Sequence, residues 1–279
     1  MEKFTLELLF HIIGIGSATG ILFKDNSLYI VSDNSGYLYE YHMDSLDLKR
    51  HPLIENPSEN TIKKDKPDFE AITSFQDTIY VFGSGSTPKR NNMIEFDWQQ
   101  KKKTKTNNLV NLYAVMQNFA SIKPEDFNIE GVVYNGENWY FFNRGNGISN
   151  KNTLFSLHAK KLDQEFSLLS NDYKLPKIKG VRSSFTDAIL VENALYFLAS
   201  AENTQSTYDD GEVLGTIIGR INLETMKIDF TKKISSTNKF EGLTLYKKDN
   251  NKIDFLLCED KDTETLESAI YKLSINLKK

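Results

Sequence analysis

Residues 19–33, TGILFKDNSLYIVSD, lie over residues 70–84, EAITSFQDTIYVFGS, without a gap. In each stretch a polar or acidic residue is followed by a small one, an aliphatic, a short β-rich run, a polar turn and a second run holding a Tyr. The pattern recurs along the chain as Ala18-Thr19-Gly20-Ile21, Phe69-Glu70-Ala71-Ile72, Ile129-Glu130-Gly131-Val132, Thr186-Asp187-Ala188-Ile189 and Phe240-Glu241-Gly242-Leu243. A self-similar unit of this length, built from short strands, is the mark of four-stranded sheets stacked radially about an axis.

Working outward, each copy continues into a third alternating strand, such as Met93-Ile94-Glu95-Phe96 or Ile270-Tyr271-Lys272-Leu273. Fourth, outer strands are expected near Leu48–Ile54, Asn108–Tyr113, Phe166–Leu169 and Ile228–Ile234. The fifth copy has only three strands before the sequence ends, whereas Phe4–Ile12 precedes the first copy without a sheet of its own. Pairing that segment as the outer strand of the fifth copy closes the ring and hides two edges. The expectation is an all-β, five-bladed β-propeller, one domain over 1–279 with blades starting near 19, 70, 130, 187 and 241. The small residue of the motif lets inner strands crowd the axis.

Composition narrows the partners. A net charge of −4 gives no electrostatic footprint for nucleic acid, and Lys101-Lys102-Lys103 reads as a solvated hairpin tip. No run approaches the ~20 apolar residues of a membrane span. Leu8–Ile15 is apolar but is interrupted by Glu7 and His11 at its start, and reads as a strand rather than a leader, which points to a cytoplasmic monomer. With one cysteine, Cys258, no disulfide framework exists, and that thiol reads as a small core residue.

Ring closure has a chemical consequence. The first strands open with Thr19, Glu70, Glu130, Asp187 and Glu241, on the face where the second strands end near Asp33-Asn34, Ser84-Gly85, Arg144-Gly145, Glu202 and Glu259-Asp260. Four carboxylates around one mouth make six pairs, each costing about 2 kcal/mol at ~8 Å and an effective dielectric of ~20. Three remedies are open: pairing with backbone amides or with Lys66, Arg144, Arg182 or Lys239; proton uptake; or a hard cation such as Ca²⁺ or Mg²⁺ on oxygen ligands. The metal candidates are Glu70, Glu130, Asp187 and Glu241.

Long polar loops on the same face suit a small polar or anionic molecule. Candidate ligand-binding residues are Asp33, Asn34, Ser84, Ser86, Lys89, Arg90 and Asp260, the Ser84–Arg90 loop resembling a phosphate cradle. Arg144 either neutralises the ring or grips an anion. Asp209-Asp210-Gly211 lacks the alternating oxygen ligands of a calcium loop and reads as a turn. No histidine falls at the mouth, so neither a Ser-His-Asp triad nor a His-ligated zinc is expected there.

The recurrent Phe-Glu-Gly/Ala-Ile/Leu with its following Tyr strand resembles the esterase-like phytase and lactonase-type propellers. It also resembles an uncharacterised bacterial propeller family marked by Ser200-Ala201-Glu202-Asn203-Thr204 and Asp210-Gly211-Glu212-Val213-Leu214-Gly215. The resemblance implies a channel-mouth Ca²⁺ on Glu70, Glu130, Asp187 and Glu241, with Asn34 as a further candidate ligand, that polarises the substrate. The resulting expectation is divalent-cation-dependent hydrolysis of a phosphoester, ester or lactone, with Glu202 or Glu259 taking a proton and Arg144 positioning an anionic group. The rival expectation is a non-enzymatic binding or interaction platform whose carboxylates lock the blades.

Overall fold

A computed structural model describes residues 3–204, 211–261 and 265–276. The chain enters as β1 (Phe4–Ile13) and then lays down blade 1 as β2 (Ala18–Lys24), β3 (Ser27–Ser32), β4 (Tyr37–His42) and β5 (Leu48–Pro52). Blade 2 is β6 (Phe69–Phe75), β7 (Thr78–Gly83), β8 (Asn92–Asp97) and β9 (Lys102–Asn108), followed by the helix α1 (Val110–Ala120). Blade 3 is β10 (Ile129–Tyr134), β11 (Asn138–Asn143), β12 (Asn152–His158) and β13 (Ser167–Tyr173). A small hairpin, β14 (Lys177–Ile178) and β15 (Val181–Arg182), leads to blade 4: β16 (Ser184–Val191), β17 (Ala194–Asn203), β18 (Glu212–Asn222) and β19 (Lys227–Lys233). Blade 5 contains β20 (Lys239–Lys248), β21 (Lys252–Asp260) and β22 (Glu267–Asn276), and β1 completes it.

The ring closes as expected. β1 pairs antiparallel with β22, from Phe4 opposite Ile275 to Ile13 opposite Glu267. The inner strands touch in the cycle β2, β6, β10, β16, β20 and back to β2. Each seam between neighbouring blades holds its own apolar cluster among the described residues. Cys258 is buried in the seam between blades 5 and 1, and its thiol sits 3.4 Å from the Ala18 carbonyl oxygen. At the axis a Cβ on Gly131 would stand 3.0 Å from the Ala188 nitrogen, and one on Gly242 3.0 Å from the Ile21 nitrogen. Close approach of inner strands therefore requires the small residue. Asp25 and Asn26, both with positive φ, make the two-residue turn that joins β2 to β3.

Two local expectations fail. The outer strand of blade 2 is β9, not Asn108–Tyr113, because Leu109, Leu112, Tyr113 and Met116 recur at helical spacing and bury that face of α1 between blades 2 and 3. Lys101 is not a simply solvated tip: its ammonium lies 2.8 Å from Glu40 and over the Tyr29 and Trp98 rings. Asp209 and Asp210 lie outside the described residues. No helix among the described residues is long and apolar enough to cross a membrane.

Candidate functional site

Every inner strand carries a β-bulge at its first turn toward the axis. The register slips between Ala18 and Gly20, Phe69 and Ala71, Ile129 and Gly131, Phe185 and Asp187, and Phe240 and Gly242. The bulged residues are thus Thr19, Glu70, Glu130, Thr186 and Glu241. Such bulges re-aim side chains at functional rims. In blade 4 this corrects the sequence alignment by one residue. Thr186, not Asp187, is the counterpart of the three glutamates, and Asp187 takes the slot of Gly131 and Gly242.

Asp187 consequently leaves the ring. Its carboxylate accepts hydrogen bonds from the Ala188 amide at 2.7 Å and, across the seam, from the Leu243 amide at 2.6 Å. Burial raises its pKa well above the ordinary range, against the pull of those two amides.

The other carboxylates do converge, and they bring cations with them. Arg144 Nη1 lies 3.2 Å from Glu130 and 3.4 Å from Glu241, while its Nη2 lies 2.8 Å from Glu202. Lys239 Nζ lies 3.2 Å from Glu202, 3.1 Å from Glu241 and 3.1 Å from Asp260. All of these side chains are buried. On the opposite side Lys66 bridges Asp33 and Asp68, at 2.9 Å for the latter. Arg90 Nη1 donates to Asp68 and to Ser86 Oγ, each at 2.9 Å, and its Nη2 to the Lys63 carbonyl at 3.1 Å. Ser84 and Ser86 also donate to Asp68.

Glu70 is the exception. It is 8 % exposed, and its carboxylate has no hydrogen-bond or ion-pair partner among the described residues. Ligand atoms of Asp33, Asp68 and Glu70 nevertheless lie within 4.8 Å of one another. Asp33 Oδ1 is buried and unpartnered among the described residues as well. Buried polar atoms left unpaired are rare and call for an explanation such as an ion or a ligand.

The electrostatics follow this layout. Burial pushes the Glu70 pKa well up, and the negative charges of Glu130, Asp68, Asp33 and Glu241 push the same way. Burial also raises Glu130, Glu241 and Asp33, with Arg144, Lys239 and Lys66 pulling back incompletely. Glu202 goes down, because Arg144 and Lys239 together outweigh its burial. The same carboxylates outweigh burial at Arg144, Lys239 and Lys66, whose pKa values rise.

The remaining candidates sit around this cluster or away from it. Asn34 Oδ1 accepts from Ser32 Oγ at 2.7 Å, and its amide reaches Asn60 at 3.2 Å. Glu259 is held aside by Asn238 at 2.7 Å and Tyr271 at 3.1 Å. Lys89 points outward to Asp65 at 2.9 Å and Arg90 is buried against Asp68, so both cations of the Ser84–Arg90 loop are engaged by carboxylates. The histidines are elsewhere, His11 with Glu267 and His51 with Glu40.

Sequence reasoning missed Asp68 and Thr186 at this mouth. The residue two before each bulge is Ser17, Asp68, Asn128, Ser184 and Lys239, polar in every blade, and that was the available signal. Asp68 turns through a left-handed φ of 56°, which Asp tolerates.

A family model, described as a family of unknown function (DUF6929), matches residues 14–275. The chain belongs to that family. No curated protein matches it in sequence. Among solved structures it is similar to a luciferin-regenerating enzyme, at 9 % identity over 97 % of this chain and 95 % of the other, with a TM-score of 0.51. Looser likenesses are to a structure of the nidogen/laminin complex (9 % identity, 87 % and 74 % covered, TM-score 0.48) and to a member of a DUF4221 family from Bacteroides vulgatus (9 %, 99 % and 98 %, 0.46). At such identities the likeness speaks for the fold alone. The family and the five-bladed architecture are the coarser part of what the sequence resemblance implied.

Proposed function

We propose that the channel mouth is a small-molecule hydrolytic site dependent on a hard divalent cation, seated on Asp33, Asp68 and Glu70. The observation that carries this reading is the cluster itself: Glu70, without an ion pair to a described residue, stands beside Asp33, whose Oδ1 is buried and unpartnered among the described residues, and Asp68, close enough to share one ion. All-oxygen donors suit Ca²⁺ or Mg²⁺. Lys66 competes for Asp33 and Asp68, so the ion would have to displace or share with that ammonium.

Charge counting supports the same choice. Among the described residues seven carboxylates (Asp33, Asp68, Glu70, Glu130, Glu202, Glu241, Asp260) face four cations (Lys66, Arg90, Arg144, Lys239), leaving three negative charges if all ionise. A site so charged repels a bare anion, so a phosphoester or carboxylate substrate would enter only with a cation already bound.

A bound Ca²⁺ or Mg²⁺ would act as a Lewis acid on a substrate oxygen. The chain's own contributions divide by environment. Glu202, held ionised by two cations, steadies Arg144 and Lys239 and is a poor proton acceptor. Glu130 and Glu241, with raised pKa values, are the carboxyls able to give or take a proton at the mouth.

The second reading, a non-enzymatic platform, is favoured by one observation: Arg144 and Lys239 tie blades 3, 4 and 5 together, as a purely structural clamp would. Metal analysis of protein purified without chelator, calorimetric titration with CaCl₂ and MgCl₂, and a phosphatase, esterase and lactonase panel separate the two. The hydrolase reading expects one ion per chain, lost in Glu70→Gln together with activity. Metal-free protein that ignores both ions and every substrate leaves the platform.

A further inference from the structure

We infer that a cleft on the rim of the propeller, between blades 2 and 3, is a second binding site, for a planar aromatic small molecule carrying one negative charge. The cleft encloses about 760 Å³ and shares no residue with the channel mouth. That volume falls within the usual range of small-molecule sites. Its walls are the blade 2 strands β7, β8 and β9, the start of α1, Trp139 on β11, and the segment that joins β12 to β13.

Trp139 is what distinguishes this cleft from a simple surface dent. The residue is 1 % exposed and its indole N–H has no acceptor among the described residues. Around it the aromatic geometry is fixed: Tyr134 stacks on the indole at 3.8 Å and 9°, and Tyr80 meets it edge-on at 5.1 Å. A rigid aromatic frame with one unused donor is suited to a flat ligand bearing an acceptor.

The charges select the sign. Both acidic residues of the wall are already engaged: Glu95 accepts from Asn107 at 2.7 Å, and Asp163 from Lys105 at 3.2 Å. Lys160 and Lys161 form no ion pair with a described residue, and they leave the wall with a surplus of positive charge in an acidic protein. The Lys105–Asp163 pair is exposed and spans from β9 to the segment joining β12 to β13. Surface pairs of this kind are weak, so it can open for a ligand. Phe166 and Leu112 supply apolar surface for the ring.

The protein's two tryptophans make the test direct. In ¹⁵N-labelled protein the Trp98 indole signal is identified by its loss in Trp98→Phe, leaving Trp139 as the reporter. Titration with 2-naphthoate should shift the Trp139 indole resonance saturably while the Trp98 signal stays in place. The neutral analogue 2-naphthamide should bind about tenfold more weakly, as should 2-naphthoate to the Lys160→Gln/Lys161→Gln double variant, a loss expected when a charge-assisted contact goes. Both lysines are exposed side chains outside the core, so the double variant reads the site even if Trp139→Phe is poorly folded. An indole signal that does not move at millimolar naphthoate, meaning the N–H is satisfied by water only, overturns the proposal. So does equal binding of acid and amide.

Discussion

Blades 1 and 4 use the same bulged backbone position as blades 2, 3 and 5, to opposite ends. Where the bulge holds threonine, its hydroxyl donates into the next blade: Thr19 to the Phe69 carbonyl at 2.5 Å, Thr186 to the Phe240 carbonyl at 2.7 Å. Where it holds glutamate, the side chain adds charge to the channel. Each acceptor precedes one of those glutamates, so the threonines fix the backbone from which Glu70 and Glu241 project. The three glutamates then differ among themselves. Glu130 and Glu241 pair with Arg144, whereas Glu70 forms no ion pair with a described residue and feels Lys66 only from a distance. One slot thus serves as a seam lock, half of a clamp, or an open ligand.

The largest effect should come from the clamp. Arg144→Met leaves Glu130, Glu202 and Glu241 buried with only Lys239 among them. Removing one partner from a buried ionic group typically costs about 3–5 kcal/mol. In a chain of this size that corresponds to a melting temperature lower by about 10 °C, read by scanning calorimetry. A variant that melts with wild type would mean the clamp is incidental, and the distinction between Glu130 and Glu70 would dissolve.

Next in size is the open ligand. Saturation with CaCl₂ at about a hundred times its Kd should stabilise wild type by about 2.7 kcal/mol. Glu70→Gln should show none of this, whereas Glu241→Gln, outside the proposed seat of the ion, should keep most of it. Because Glu70 and Asp33 bind protons more readily in the folded protein, cation uptake there should release protons, measurable by calorimetry in buffers of different ionisation enthalpy.

Much of this arrangement was legible in the sequence, and its limits are physical. The alternation of residues 19–33 and 70–84 sets strand order, and the spare Phe4–Ile12 segment implies closure on β22, since unpaired edges are costly. The convergence of Glu70, Glu130 and Glu241 follows from that closure. What pattern matching could not reveal is the bulge register of blade 4, because Thr186-Asp187 offers two adjacent polar residues and a slip of one changes which enters the channel. Nor could it rank Lys66, Arg144 and Lys239 as partners, since ion-pair choice depends on side-chain reach across blades distant in sequence. Helix α1 is hidden from that pattern because its buried residues begin directly after β9, where a strand alternation and a helical spacing overlap.

Acidity gives a smaller and more gradual readout of the same contrast. Glu70, Glu130, Glu241 and Asp33 have folded pKa values above their unfolded ones, so their contribution is fully present below the ordinary carboxylate range and is lost as pH rises. Glu202 is lowered, so its contribution is present above that range and is lost as pH falls through its folded pKa. Without added cation, the unfolding free energy, and with it the urea midpoint, should therefore decline as pH rises above about 4.3, the free energy by at most about 1.4 kcal/mol per pH unit for each raised group. Glu70→Gln should flatten the decline. A midpoint that climbs over that window would show that Glu202-type pairing dominates the whole mouth.

The smallest expected effect tests the register itself. Thr186→Val keeps shape and removes only the hydroxyl that reaches the Phe240 carbonyl, so it should cost about 1 kcal/mol, as one lost hydrogen bond does. Thr19→Val removes the equivalent bond to Phe69 and should cost the same. Asp187→Ala strips the partners from the Ala188 and Leu243 amides and should cost more than either, yet leave calcium binding intact because Asp187 stands outside the ring. If Asp187→Ala abolished the calcium response while Thr186→Val did nothing, the glutamate slot of blade 4 would belong to Asp187 after all. The two threonine blades would then cease to be a pair.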